Sequence, residues 1–300
     1  MQRLTTATTV GIALMLTLAG HARAAERWLT LPRTPTLPTS ARGGHMTHAG
    51  ADLWYAELGT GAPVLLLHGG LASADYLGDL AHALAPRHRV VLMDSRGHGR
   101  STRDDQPFSY DLMASDVVAL LDHLRIPKTA IVGWSDGAIL GLLLAIRHPE
   151  RVTRLFAFAA NTDPSGVADA SGNPVFEAYA TRAAAEYAAR SPTPDAYPAF
   201  RDAIMKMWAT QPSITTAELR AITTPTWIVD GDHDEMIKRE NTLLMADTIP
   251  HAGLLLLPEV SHFAFLQDAP MFHDAVLRFL NQEDSRPSTH QNDGSPTPSR

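Results

Sequence analysis

Val132-Gly133-Trp134-Ser135-Asp136-Gly137-Ala138 is the stretch whose reading decides the fold. An apolar run at 129–132 (Thr-Ala-Ile-Val) leads into it, and an apolar helical pattern over 138–146 leads out. The order is therefore strand, sharp turn, helix, with a serine at the apex. A serine on such a turn is forced into a strained backbone conformation. Glycine two residues before it and two after removes the side chains that would clash there. The strain lifts the hydroxyl above the end of the sheet, where the following helix points its N-terminal amides. This is the G-x-S-x-G nucleophile-elbow pattern, and its meaning depends on the strand and helix around it. Outside that context it is an ordinary glycine-rich turn.

The surrounding chain supplies the context. Continuous apolar runs at 63–67, 89–93, 152–158, 225–229 and 253–257 read as strands buried on both faces of a parallel sheet. Residues 46–58, broken by His48-Ala49-Gly50, suggest a hairpin at a sheet edge. Helical patterns over 73–84, 109–124 and 270–280 alternate with the strands through short connections. The fold class is α/β: a mostly parallel sheet with helices on both faces. The rhythm changes at Asn161. Residues 161–220 hold alanine-rich helical patterns (175–189 and 196–209) and no convincing strand, which predicts a small helical cap inserted over the sheet. The core is then 45–160 together with 221–282.

Both ends of the chain read differently. Arg3, a 12-residue apolar region over 9–20 and Ala22-Arg23-Ala24 form the charged, apolar and cleavage regions of a secretory signal peptide at 1–24. The expected location is periplasmic or secreted, and the apolar region is too short for a membrane span. Residues 25–44, rich in Pro, Thr and Arg, read as an N-terminal linker or loosely docked arm. Residues 283–300 lack an apolar anchor and read as a disordered tail. The chain has 300 residues, 45% hydrophobic and 19% charged, as in ordinary globular domains. A net charge of −7 without a basic cluster argues against nucleic acid as a partner. The absence of cysteine excludes disulfides, thiolate metal sites and a cysteine nucleophile. Nothing in the sequence sets the oligomeric state.

An activated serine needs a base, and the base needs an orienting acid, both at strand ends on one edge of the sheet. The acid candidates follow strand 225–229 in Asp230-Gly231-Asp232-His233-Asp234, with Asp234 favoured and Asp232 the alternative. The base candidate is His262, shortly after strand 253–257. His68, His98 and His233 also fall at strand ends. The oxyanion hole needs preorganised amides. One is that of Asp136, and the second comes from the loop after strand 63–67, with Gly70 favoured and Leu71 the alternative. Asp230, Asp232, His233, Asp234 and Glu235 form an acidic cluster, but adjacent residues cannot all face one ion. No metal-binding or nucleotide-binding spacing is present, so neither a metal nor a cofactor is expected.

In this order, five features carry a resemblance: His68-Gly69, Asp94-x-Arg96-Gly97-x-Gly99-x-Ser101, the elbow, Gly231-x-x-Asp234 and Ser261-His262-Phe263. Over roughly residues 45–282 the chain resembles the α/β-hydrolase fold superfamily. The elbow wording Gly-Trp-Ser-Asp-Gly is similar to that of the valacyclovir-hydrolase-like and enol-lactonase-like branch. The resemblance implies a Ser135, His262, Asp234 triad without a cofactor. Ser135 in place of Asp argues against dehalogenase and epoxide-hydrolase chemistry. His68-Gly69-Gly70 is shorter by one glycine than the loop of one large lipase and esterase group. The expected reaction is cleavage of esters or lactones of a small, apolar molecule through an acyl-enzyme. Alternatives are amide or C–C hydrolysis, perhydrolysis or acyl transfer by the same triad, or a non-catalytic binding protein on this fold. The cap carries Phe176, Tyr179, Tyr187, Tyr197, Phe200, Met205, Met207 and Trp208, which predicts an apolar pocket.

Overall fold

A computed structural model describes residues 26–282, so the signal-peptide segment 1–24 and the tail 283–300 lie outside the described residues. The strands are β1 (Arg42–His48), β2 (Ala51–Leu58), β3 (Ala62–Leu67), β4 (His88–Met93), β5 (Thr129–Trp134), β6 (Val152–Phe158), β7 (Thr226–Gly231) and β8 (Gly253–Leu257). They form one sheet in the order β1-β2-β4-β3-β5-β6-β7-β8. β2 is antiparallel to both β1 and β4, and every pairing from β4 onward is parallel. The edge hairpin expected over 46–58 is the β1–β2 pair. It begins at Arg42, inside the 25–44 segment read as a linker.

The helices are α1 (Gly78–Leu84), α2 (Tyr110–His123), α3 (Asp136–Arg147), α4 (Pro174–Arg190), α5 (Tyr197–Trp208), α6 (Thr216–Ala221), α7 (Arg239–Thr248), α8 (Ala264–Gln267) and α9 (Ala269–Leu280). Neighbouring residues of β6 show that helices cover both faces of the sheet. Leu155 packs against Gly141 of α3. Phe156, pointing to the other face, meets Phe272 and Phe279 of α9. α9 buries Phe272, Val276 and Phe279, a spacing that lays one stripe on the sheet. Its start is set by Asp268, whose side chain accepts the Met271 amide at 3.1 Å.

Between β6 and β7 the chain forms α4, α5 and α6, with a single β-bridge between Val167 and Ile237. α4 turns Val175, Tyr179, Ala183 and Tyr187 inward, and α5 turns Phe200, Ile204 and Met207. The two helices meet where the Tyr187 ring stacks on Phe200 at 4.9 Å. The apolar rhythm of the sequence missed α6 and α7. α6 is short and is set by a capping box between Thr215 and Glu218.

Residues 26–41 contain one short 3-10 turn, Arg27–Leu29, and lie against three parts of the molecule. Arg27 pairs with Asp268. The Gln267 amide donates to the Thr30 carbonyl at 2.8 Å, and Arg182 of α4 donates to the carbonyls of Leu31 and Pro32. The Trp28 ring stacks on His233 at 3.9 Å. These contacts tie the segment to the helical insert and to the loops at the carboxyl ends of β7 and β8.

The Asp94 to Ser101 loop is built as structure. Asp94 accepts amides from Ala74 and Arg100 at 2.7 and 2.8 Å. Arg96 makes a two-pronged pair with Asp116 at 2.7 Å on both prongs, with each side chain 1% exposed. Breaking a buried pair from one side leaves an uncompensated charge. Asp116→Ala is expected to cost about 3–5 kcal/mol of folding stability, measured by urea denaturation, and a loss under ~1 kcal/mol would contradict this account of the loop.

Candidate active site

The parallel strands place their carboxyl ends on one edge, and four loops meet there. Ser135 follows β5 with φ 54° and ψ −119°, in the left-handed region that a serine rarely occupies. The conformation is held by the Ser135 amide on the Phe158 carbonyl at 2.9 Å and by the Ala138 and Ile139 amides on the Ser135 carbonyl. A Cβ at Gly133 would lie 2.3 Å from the Gly137 carbonyl oxygen, and one at Gly137 would lie 2.2 Å from that of Leu67. The elbow can therefore close only with glycine at both positions.

His262 follows β8, and its Nδ1 lies 2.8 Å from Asp234 Oδ2. The other Asp234 oxygen accepts the amides of Met236 and Ile237 at 2.7 and 2.8 Å. Of the two acid candidates, Asp234 is the one brought to His262. Asp232 instead bonds the His233 ring at 2.7 Å and the Val260 amide, joining the acid loop to the histidine loop. Gln267 adds to this join by accepting the Ser261 amide at 2.7 Å, and the His262 amide donates to Glu235 at 3.2 Å. Burial pushes the Asp234 carboxyl above the usual carboxylate range. Burial also holds the His262 imidazole below its ordinary value, against the pull of Glu235, Asp230 and Asp136. Ser135 and His262 line the same cavity, about 560 Å³ in volume, without a direct hydrogen bond between their side chains. Such contacts commonly tighten only around a substrate.

Gly70 lines the same cavity, whereas Leu71 does not and takes the left-handed turn position at φ 62°. The amides of Gly70 and Asp136 have no partner among the described residues. A Cβ on Gly70 would stand 2.2 Å from the Trp208 ring and 2.6 Å from Asp136 Oδ2, so only glycine fits. The sequence valued Asp136 for its backbone amide alone. In the structure its buried carboxylate also accepts from the Tyr110 hydroxyl at 2.8 Å and from the Trp208 indole N–H at 3.0 Å. Burial pushes this carboxyl up to about 6. Tyr179 donates to the Gly70 carbonyl at 2.5 Å. Gly70 and Asp136, which carry the two candidate amides, are therefore each latched to the helical segment, one to α4 and the other to α5. Apolar spacing gave no sign of these two latches, because Tyr179 and Trp208 read there as apolar cap residues without polar partners.

The other histidines at strand ends are placed differently. His68 donates from Nδ1 to the Gly69 carbonyl at 2.7 Å and accepts the Ser95 amide on Nε2 at 3.0 Å, which fixes it as a neutral ring beneath the Gly69-Gly70 turn. His98 is buried beside it, edge-on to Phe200 at 4.7 Å, and does not line the cavity. His233 is taken up by Asp232 and Trp28. Among the described residues no group of three metal-ligating side chains comes together, and no helix is long and apolar enough to cross a membrane.

Residues 62–196 match the α/β-hydrolase fold family. A protein of Azorhizobium caulinodans provisionally named carbamate hydrolase RutD is 41% identical over 109 residues, a match that spans 36% of this chain and only 41% of that relative. The 2-hydroxymuconate semialdehyde hydrolase of Pseudomonas sp. strain CF600 is 27% identical over 286 residues, covering 81% of this chain and 95% of the relative. Among solved structures, Est816, described as an N-acyl homoserine lactone degrading enzyme, superposes with a TM-score of 0.67 at 25% identity, over 79% of this chain and all of that one. With the sheet order and the elbow, these matches show the α/β-hydrolase fold, and the matched relatives are named as hydrolases.

The packing under the Gly69-Gly70 turn has a pH signature. Burial, with the neighbouring His68 adding to it, pushes His98 down to about 3. A group whose pKa falls on folding supports stability above its unfolded value near 6.5 and withdraws it as pH falls below that. Between pH 7 and pH 5 this amounts to about 2 kcal/mol. His98→Phe, which fits among Phe108 and Phe200, is expected to flatten the pH dependence of the melting temperature over that range. An unchanged slope would mean that His98 is not held neutral.

Proposed function

We propose that the protein is a serine hydrolase that cleaves carboxylic esters or lactones through an acyl-enzyme. The observation that carries the reading is the Asp234–His262 pair facing the strained Ser135 across one cavity. His262, fixed in its Nδ1–H tautomer by Asp234, takes the proton from the Ser135 hydroxyl as the oxygen attacks the carbonyl. The amides of Gly70 and Asp136 hold the oxyanion that forms, and Asp234 stabilises the imidazolium. His262 then gives its proton to the leaving alcohol and activates water to release the acyl group. In the absence of cysteine, export to the periplasm or the exterior, as the segment 1–24 suggests, would leave no thiol to oxidise.

The cavity wall argues for an uncharged acyl group. It is mostly apolar, with Phe176, Met205, Trp208, Met236 and Ile237 above the serine, and no Lys or Arg lines it among the described residues. Its charged members are the carboxylates Asp136 and Asp169. A substrate bearing a carboxylate would lose its hydration in this cavity and gain no cation in return. This favours neutral esters and lactones over the carboxylate-bearing muconate semialdehyde named for one relative. Est816, a lactone-degrading enzyme by description, supports the lactone half of the reading.

Ser135→Ala is expected to lower kcat by on the order of 10⁴–10⁶-fold while leaving the melting temperature near that of the wild type. A fluorophosphonate is expected to label the wild type and not the variant. A wild type that cleaves no p-nitrophenyl ester or lactone and takes no label would end this reading. Matched neutral and carboxylate-bearing esters of one chain length should differ in kcat/KM in favour of the neutral one. Because burial holds His262 low, kcat/KM should rise with pH through a midpoint below about 6.5, and a midpoint above 7 would show the imidazole stabilised in its charged form instead.

A further inference from the structure

Asn161 is a cavity residue that the reaction scheme does not use. β6 ends at Phe158, whose carbonyl accepts the Ser135 amide at 2.9 Å, and Ala159 then turns the chain with φ at 58°. Asn161 comes three residues after Phe158, so its backbone lies within about 10 Å of that contact with the serine. It lines the cavity and is only 6% exposed. Its place is fixed from α7, where Asn241 accepts the Thr162 amide at 3.0 Å and donates to the Thr162 hydroxyl at 2.9 Å.

The hydrogen bonding of Asn161 is incomplete. Its Nδ2 donates to the Asp163 carbonyl at 2.9 Å, and a carbonyl can only accept, so the orientation of the side-chain amide is fixed. Oδ1 is left without a partner among the described residues. That oxygen is not sealed in the packing, so it opens on the cavity that its residue lines. A buried acceptor left dry and unpaired is costly, which makes this oxygen a place for water or for a donor on a ligand. Gln211 supplies the opposite group. The Ile214 amide donates to the Thr162 carbonyl at 2.8 Å, which lays residues 211–214 beside 161–162. Gln211 Oε1 accepts the Tyr110 amide at 3.2 Å, so its Nε2 is fixed as a donor, again without a partner among the described residues. Gln211 lines the same cavity. The other buried polar groups there are engaged: Tyr110 and Trp208 hold Asp136, Tyr179 holds the Gly70 carbonyl, and Asp234 holds His262. Trp134 keeps an unpaired indole N–H, yet that atom is sealed within the packing. Asp169 and Ser171 sit on an exposed loop, where water reaches them.

We propose that Asn161 and Gln211 form a specificity subsite for a secondary amide carried by the substrate, with Asn161 Oδ1 accepting the amide N–H and Gln211 Nε2 donating to its C=O. This deepens the serine-hydrolase reading and rests on it: the substrate class becomes neutral esters or lactones that bear an acylamino group. An amide offers one donor and one acceptor without charge, and the cavity offers the converse pair. A plain hydrocarbon chain would leave both protein groups unpaired. A carboxylate would meet Asn161 Oδ1 acceptor to acceptor, with no cation to offset its lost hydration.

The test uses p-nitrophenyl esters with an acetamido group on the α, β or γ carbon. Each is set beside a ketone isostere, with CH2 in place of N–H, and a hydrocarbon of the same length. At one of these positions the wild type should favour the amide over the ketone by about tenfold in kcat/KM, and the ketone over the hydrocarbon by a smaller factor. Asn161→Leu should bring the first ratio to about one. Gln211→Glu keeps an acceptor for the Tyr110 amide but loses the donor, and should remove the second preference. The matching methyl esters should bind Ser135→Ala in the same order by calorimetry. That readout needs no turnover, so it separates the two ideas: no cleavage with the binding order intact would sink the hydrolase reading alone. Equal treatment of amide and ketone at all three positions, in rate and in binding, would overturn the subsite. So would an amide preference that survives Asn161→Leu. The wild-type comparison needs no variant and decides the matter even if Asn161→Leu does not fold.

Discussion

The backbone at Ser135 is the constraint on which the rest of the molecule depends. A serine at φ 54° is a costly conformation, and it persists only because the surroundings leave no other. The amide of Ser135 is held by β6, its carbonyl by the first turn of α3, and both flanking glycines sit where any side chain would strike backbone. Such a turn can form only where a strand buried on both sides is followed at once by a helix buried nearly all round. β5 is wholly buried, and α3 is buried from Asp136 to Ala145. The strain is therefore offset by these hydrogen bonds together with the packing of the centre of the core. The same geometry fixes the free amide of Asp136 beside the hydroxyl.

The parallel sheet then decides what can join the serine. Loops after β3, β7 and β8 emerge on the edge where β5 ends, which is why Gly70, Asp234 and His262 meet although far apart in sequence. The loops are also tied to each other. Asp232 bridges to Val260, Gln267 bridges Ser261 to residues 28–30, and Trp28 lies on His233. The helical segment above is attached to the candidate site by Tyr179 on the Gly70 carbonyl and Trp208 on the Asp136 carboxylate, besides contacts such as that of Arg190 with Asp75. A cavity roof anchored to the residues that supply the candidate oxyanion amides couples the shape of the pocket to the orientation of those amides.

The fold was legible because its signals are periodic and local. Buried parallel strands appear as unbroken apolar runs, and the elbow needs its glycines at fixed offsets. Ser135 and His262 could be placed from topology alone, because only a few loops reach the carboxyl edge. The choice between Asp234 and Asp232 could not be made from order, since both lie in one turn. What separates them is which side chain returns over the sheet, and that depends on the Met236 and Ile237 amides. Gly70 was favoured over Leu71 because a glycine lets the backbone approach closely, and the Trp208 ring does stand where a side chain on Gly70 would be. The carboxylate of Asp136 was missed for a related reason. Its partners, Tyr110 and Trp208, are 26 and 72 residues away, and both look like core aromatics in sequence. α6 and α7 were missed because capping and short length, rather than an apolar stripe, define them.

The electrostatics around His262 follow from the same geometry. Four carboxyls, Asp136, Asp230, Asp234 and Glu235, lie around one buried imidazole. Were all four ionised, the ring would be charged at neutral pH and could not accept a proton. The structure moderates this in separate ways. Tyr110 and Trp208 spread the charge of Asp136 and turn it toward the helical segment. Asp234 has its charge met by two backbone amides besides the ring. Glu235 is drawn off to the His262 amide. Burial then tips the ring toward its neutral form. A base that is neutral at rest but faces a preorganised anion gains most when it becomes an imidazolium, because that charge appears only during reaction and meets dipoles already in place. The acidic cluster seen in the sequence thus borders, in three dimensions, a histidine that burial keeps neutral against the pull of its carboxyls.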